Sequence, residues 1–457
     1  MKKAIGAFVG LVLAIGPIGF VSAQSQGPDV IVGDLTGDFQ PGGEGPQKFG
    51  SIAGVTAYSI GTTSCNVGDK KLLWLDGTRF HPVIGQNFYR LKSGRFEQIG
   101  LSWLKHGFAA LQMTLCGACD ANPDSTALGP GCSDPYGSGL NGSQGGLGPR
   151  FEVNAATGQF AWPFFLDGVR GDVLFKRIQV NNNDLDPAQN PGARYFGEGQ
   201  YVTWDDAQAG NKNNNASYRE FRVGSFVSGG FRVHWVGQTQ RESPAIQAWQ
   251  DVDPTVDLLP VDVPDDGRFW VGTKVIQVQG RWTYNYAIHN LSSDRSLGDL
   301  TIPIPAGVTV TGMGFHDIDY HSGEPYDPTD WSMSQDSTSL TWSSPDTFAH
   351  NPDTNALRWG TLYTFWFTAD TPPTFGDATL GLFKPGTPAA MIASIPVPSP
   401  PACPADIDGD GDADVADFFA FVSAFAAGDP IADINGDGTI DVGDFFAFVA
   451  AFAAGCA

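Results

Sequence analysis

One pattern near the end of the chain constrains the fold more than any other. Residues 406–417 read Asp406-Ile-Asp408-Gly-Asp410-Gly411-Asp412-Ala-Asp414-Val-Ala-Asp417, and residues 433–444 read Asp433-Ile-Asn435-Gly-Asp437-Gly438-Thr439-Ile-Asp441-Val-Gly-Asp444. Each is a twelve-residue loop with side-chain oxygens at positions 1, 3 and 5, Gly at position 6 and a carboxylate at position 12. That spacing wraps a short loop around Ca²⁺, which takes six to eight oxygen ligands. The candidate metal ligands are Asp406, Asp408, Asp410 and Asp417 in one loop and Asp433, Asn435, Asp437 and Asp444 in the other. Asp412 and Thr439 would give main-chain carbonyls, while Asp414 and Asp441 would act through water. Gly411 and Gly438 stand where the loop turns sharply, at a φ that Gly adopts cheaply. Two loops predict two Ca²⁺.

The alternative for so acidic a stretch is a disordered tail. The apolar run after each loop argues against it. Phe418, Phe421, Val422 and Phe425 recur at helical spacing after Asp417, and the same run comes after Asp444. Gly428 and Gly455 stand where helix C-caps belong. Neither unit can bury a Phe face alone, so the two helices are expected to pack face to face. Cys403 and Cys456 bracket the unit, and paired helices would bring its ends together, which predicts a disulfide between them.

This loop-helix duplication resembles the dockerin type I module, a relative of the EF-hand, over residues 403–457. Asp at position 12 is the dockerin habit. The resemblance implies two calcium ions and docking to a cohesin-type partner. The chain departs from it in two ways. Val415-Ala416 and Val442-Gly443 stand where dockerins often carry hydroxyl residues, and the module has no Lys or Arg. The Gly455-Cys456 ending resembles GC-type dockerin tails of bacterial secreted proteins. That likeness offers a second role for Cys456, as a point of attachment or processing at a cell-surface anchor.

At the other end, Lys2-Lys3, an apolar stretch from Ala4 to Val21 and Val21-Ser-Ala23 read as a signal peptide over residues 1–23. A retained anchor is the alternative, but Gly and Pro17 interrupt the stretch. No other segment is long enough to span a membrane. The protein is therefore expected to be secreted or held at the cell surface. Its formal charge of −23 becomes −25 without Lys2 and Lys3, and residues 403–457 supply 11 Asp. With no basic patch, nucleic acid is excluded as a partner class.

The 58 Gly and 32 Pro, set among aromatics, describe a loop-rich β protein. The fold class expected is mainly β: two antiparallel β-sandwich-like domains followed by a small helical calcium module. Residues 24–50 read as an extended lead and 51–245 as a β-rich domain. Residues 246–268 read as a connection, 269–386 as a sandwich, and 387–402 as a Pro-rich linker. In Trp282-Thr-Tyr284-Asn-Tyr286-Ala-Ile288, alternation marks one buried strand face. Ile302-Pro303 must be an edge strand or a strand end. Ile99 to Leu111 is the one helix the spacing suggests in the body. Cys65, Cys116, Cys119 and Cys132 allow three disulfide pairings; Cys116-Gly-Ala-Cys119 also permits redox or zinc readings. The Gly-rich run before Gly148 reads as a disulfide-pinned surface loop.

Three groups in the body could carry chemistry. His316 and His321 with nearby carboxylates could hold a transition metal, if they sit on a loop. His81 and His106 could form a site with Glu97. The loops 181–186 and 205–215 are rich in side-chain oxygens. A polar or structural role is the competing reading for each. Three functions remain open: a non-catalytic secreted protein anchored by its tail, a tethered polysaccharide hydrolase, and a carbohydrate-binding protein. Carboxylate spacing along the sequence selects no catalytic pair.

Overall fold

The computed structural model describes residues 25–400 and 403–455. The expected signal peptide, residues 1–23, and Cys456 lie outside the described residues. The body is built from antiparallel sheets, and the tail from two helices, Val415–Ala427 and Val442–Ala454. Among the described residues, no helix is long and apolar enough to cross a membrane.

The first unit centres on a seven-stranded sheet. Its longest members are Val83–Lys92, Arg194–Val202, Ala216–Val227 and Gly230–Gln240. Smaller sheets pack over it and close a core of Tyr58, Phe88, Tyr201 and Phe221. The expected extended lead belongs to this core. Val30–Thr36 pairs with Gly61–Asn66, and Val30, Val32 and Leu35 are fully buried. Gly and Pro around that strand hide it in the sequence. Disulfides join Cys65 to Cys116 and Cys119 to Cys132, which sets aside the redox and zinc readings of the pair 116/119. The Gly-rich run is internal rather than superficial. Ser138, Asn141 and Leu147 are buried, and a Cβ on Gly142 would meet the Phe49 ring at 2.4 Å.

The expected helix from Ile99 to Leu111 is two strands, Arg95–Leu101 and Leu104–His106. The spacing misleads because the run is buried on both faces: Ile99, Leu101, Trp103 and Leu104 are all within 4 % exposure. Phe108 and Leu111, the supposed end of the helical face, are exposed. Gly100 is where strands approach closely, since a Cβ there would lie 2.9 Å from the Gln179 carbonyl.

The second unit is a sandwich of two five-stranded sheets. One sheet includes Arg268–Val278, Arg281–Asn290 and Thr361–Ala369; the other includes Leu297–Pro303, Pro373–Leu382 and Ala390–Pro398. Tyr284, Tyr286 and Ile288 enter the core between them, as the alternation requires. Pro303 ends its strand. The supposed Pro-rich linker forms the edge strand Ala390–Pro398, paired from Pro373↔Pro398 to Gly381↔Ala390. Pro396 and Pro398 are two apart, so their missing N–H groups fall on the same side of the strand, which an edge position tolerates.

The expected connection between the units is a wedge. Trp249, fully buried on the short helix Gln247–Val252, packs with Tyr89, Phe96 and Phe196 of the first unit. Ala287 and Leu362, on the outer face of the sandwich, complete the layer. Asp257–Asp262 then joins the sandwich as an edge strand. The two units therefore share an apolar layer rather than a flexible joint.

Candidate metal centre

Each tail loop turns at glycines in left-handed backbone. Gly411 has φ +100° and Gly438 has φ +85°, and open space surrounds both. Conformation, not crowding, therefore selects glycine there. Each loop then runs into a capping box. Asp414 and Asp441 are the N-caps, and Asp417 and Asp444 are the reciprocal N3 residues.

That capping fixes the position-12 carboxylates. Asp417 Oδ1 accepts from the N–H groups of Ile407 (2.7 Å) and Asp408 (3.1 Å), and Oδ2 from Asp414 (2.9 Å). Asp444 accepts from Asn435 (3.1 Å) and Asp441 (2.9 Å). Both side chains are fully buried. These donors, Asp414 and Asp441 foremost, hold the two carboxyls below their ordinary pKa. Asp406 is fixed similarly, accepting from Gly409 (2.8 Å) and Gly411 (3.0 Å).

The consequence is crowding of like charge. Ligand oxygens of Asp406, Asp408, Asp410 and Asp417 all lie within 4.8 Å of one another. Carboxylates this close repel one another, and a divalent cation would turn that repulsion into attraction. In the second loop Asn435 replaces one carboxylate, and Asp433 Oδ1 is buried without a hydrogen-bond partner. Hard oxygen donors of this kind suit Ca²⁺. Asp412 stands outside the four-carboxylate cluster, as does Asp414, whose carboxylate accepts from Ala416 N–H. Asp441 does the same for Gly443, and Thr439 donates to Asp437.

The helices behind the loops meet face to face. Phe421 and Phe448 stack with centroids 4.1 Å apart and planes 2° from parallel, and both are fully buried. Phe418 and Phe425 flank them half-buried. Val422, expected on this face, is 41 % exposed. It belongs instead to a second apolar stripe of Val415, Phe419 and Val422, repeated as Val442, Phe446 and Val449, all exposed. Their i, i+4, i+7 spacing was readable in the sequence, but the stronger Phe face masked it. Cys403 is disulfide-bonded, and its expected partner Cys456 lies outside the described residues.

The body's candidates separate. His316 and His321 do not converge on a common centre. Their Nε2 atoms lie 3.0 Å from the Gln98 carbonyl and 2.9 Å from the Leu101 carbonyl, joining the sandwich to a strand of the first unit. His81 and His106 do meet, Nε2 to Nδ1 at 2.9 Å, inside a wall of Phe160, Trp162 and Phe164. Glu97 is elsewhere, paired with Arg90 at 2.6 Å. The oxygen-rich loops are spent on caps and ties. Asn181 caps a short helix, Asp184 pairs with Arg90, and buried Asp206 accepts from Val30 N–H and Asn215. No protein-family model matches the chain, and no curated protein matches it.

Proposed function

We propose that this is a calcium-binding protein of the cell exterior, whose C-terminal module folds around two Ca²⁺ and anchors or docks a non-catalytic β-rich body. One observation carries the reading: four carboxylates of the first loop converge within 4.8 Å, and main-chain donors orient Asp417 among them. The buried, unpartnered Asp433 Oδ1 gives the second loop the same need. The pattern of loops, capping boxes and stacked Phe also supports the dockerin resemblance. The doubled stripe of Val415, Phe419 and Val422 with Val442, Phe446 and Val449 offers an apolar surface for a cohesin-type partner. Disulfides in the body favour an oxidising compartment.

Calorimetric titration of calcium into the chelator-stripped full chain tests this. About two sites are expected, with Asp417→Ala and Asp444→Ala each removing one. A stoichiometry of zero would falsify the reading. Docking is tested separately against a panel of purified cohesin domains. Phe419→Ser with Phe446→Ser should abolish binding while calcium uptake stays intact. If no cohesin binds the calcium-loaded protein, cohesin docking is wrong even though the metal site stands.

A further inference from the structure

A small hairpin, Asp38–Gln40 paired with Gly43–Gly45, lies against the edge strand Gly230–Gln240 of the first unit. It is tied down on several sides. Gln40 Nε2 donates to the Val233 carbonyl (3.0 Å), Arg222 to the Gly42 carbonyl (2.7 Å), and Gly37 N–H to Glu44 Oε1 (2.9 Å). Phe39, in the middle of this pinned hairpin, is nevertheless 88 % exposed. The fold itself presents that ring to solvent, so a ligand covering it need order little.

Beside the hairpin is a cleft of about 320 Å³, at the lower end of the range for small-molecule sites. Phe39, Phe49 and Val227 give its apolar lining, and Lys48 and Arg232 its cations. Neither cation is neutralised by a carboxylate. Lys48 Nζ donates to the main-chain carbonyls of Val227 and Ser228. The half-buried Arg232 guanidinium has no hydrogen-bond or ion-pair partner among the described residues. Asp38 is the one acid in the lining, exposed and accepting from Ser138 Oγ at 2.9 Å. The two positive charges also feel each other: burial first, then Arg232, draws the Lys48 ammonium below its ordinary pKa. In a chain with 49 acidic against 26 basic residues, two such cations in one cleft stand out.

This lining discriminates between ligand classes. A cation is repelled. A neutral ligand would strip water from the guanidinium and return no charge. A bare inorganic ion would leave Phe39 uncovered. Nucleic acid needs an extended basic footprint, and two cations fall far short of it. An anionic group relieves the repulsion, and the planar fork of Arg232 matches a carboxylate or sulfate with two parallel bonds.

We infer that the cleft beside Phe39 binds a small organic anion, one carboxylate or sulfate group on a ring-sized body. Arg232 takes the anionic group, Lys48 adds a second positive charge, and Phe39 covers the ring. The site lies in the body and does not depend on the calcium reading of the tail.

The test uses the chelator-stripped full chain, so that no calcium is present to hold an anion itself. Glucuronate, a sulfated glucose and benzoate are titrated by calorimetry, with glucose and benzyl alcohol as neutral counterparts and inorganic sulfate as the bare ion. At least one organic anion should bind and its neutral counterpart should not; which one binds tells a sugar source from an aromatic one. Binding should weaken as salt is raised from about 20 to about 200 mM. Arg232→Gln should weaken it about tenfold or more, the scale of one lost hydrogen bond to a charged group. Phe39→Ser should weaken it about threefold. Melting temperatures should hold in both variants, since Arg232 has no partner to orphan and Phe39 is exposed. The inference is overturned if none of the organic anions binds at about 10 mM. It is equally overturned if the neutral counterparts or inorganic sulfate bind as tightly, or if binding survives Arg232→Gln.

Discussion

The body and the tail handle their carboxylates in opposite ways. In the body, several buried acids are either paired with Arg, as Glu97 is with Arg90, or pushed toward the neutral form by burial. Asp206 is pushed up to about 8 and Asp134 to about 7, both by desolvation. The tail instead gathers acids into one place and holds two of them, Asp417 and Asp444, below their ordinary pKa through main-chain donors, while desolvation raises Asp408. The body has extended apolar cores to hold it together, whereas four fully buried side chains, Ala405, Phe421, Ala432 and Phe448, centre the tail. On the proposed reading, a small core beside a cluster of like charge folds around a cation, whereas a large apolar core holds without one.

The largest expected effect is on the tail's helices. Chelation with EDTA should melt both and leave the body's thermal transition in place, read by calorimetry with circular dichroism at the helix band. Loss of the body transition as well would erase the contrast between the regions. Next comes the tail core: Phe421→Ala should cost about 3–5 kcal/mol in the calcium-loaded module. Phe419→Ala, on the exposed stripe, should change stability by less than about 0.5 kcal/mol. Comparable losses would mean the stripe is covered. A bond closing Cys403 to Cys456 should contribute roughly 4 kcal/mol on the chain-entropy model. Non-reducing peptide mapping of protein from its native host should find that linked pair, and a modified or truncated tail at Cys456 would overturn it.

The smallest effect is in pH. Asp206 has a folded pKa raised to about 8 against an ordinary value of 3.8. The folded form therefore holds its proton more tightly, and that contribution to stability is complete below pH 3.8. It declines as pH rises toward 8, so the body's melting temperature should fall by a few degrees between about pH 5 and pH 8.5 from this group. Asp206→Asn, uncharged throughout, should flatten that slope. If the tail loops hold calcium as proposed, they should run the other way, losing the ion as acid protonates the ligands.

What the sequence made legible divides along the same line. The tail is local: ligand spacing, the turning glycine, the cap and the Phe face all fall within a few dozen residues, so a linear pattern captures them. In the body, Tyr284, Tyr286 and Ile288 were readable because one face meets one core. The run from Ile99 to Leu104 was not, because both its faces are covered and periodicity vanishes. Strands at Val30 and Ala390 hid among Gly and Pro, whose roles there depend on partners far away in sequence. His316 and His321 look like ligands in one dimension, and only the neighbouring strand's carbonyls explain them.

The edge strand Ala390–Pro398 leaves the tail on a very short leash. Ser399 N–H still bonds to the Pro372 carbonyl at 2.8 Å, and Cys403 already belongs to the tail's apolar cluster. Four Cα steps separate them, a reach of no more than about 14 Å when fully extended. Whatever grips the tail must therefore come within a nanometre or two of the sandwich edge. A holder with bulky surroundings would collide with the body. Any two sites bridged across this joint would feel a high effective concentration only if their spacing matches so narrow an orbit.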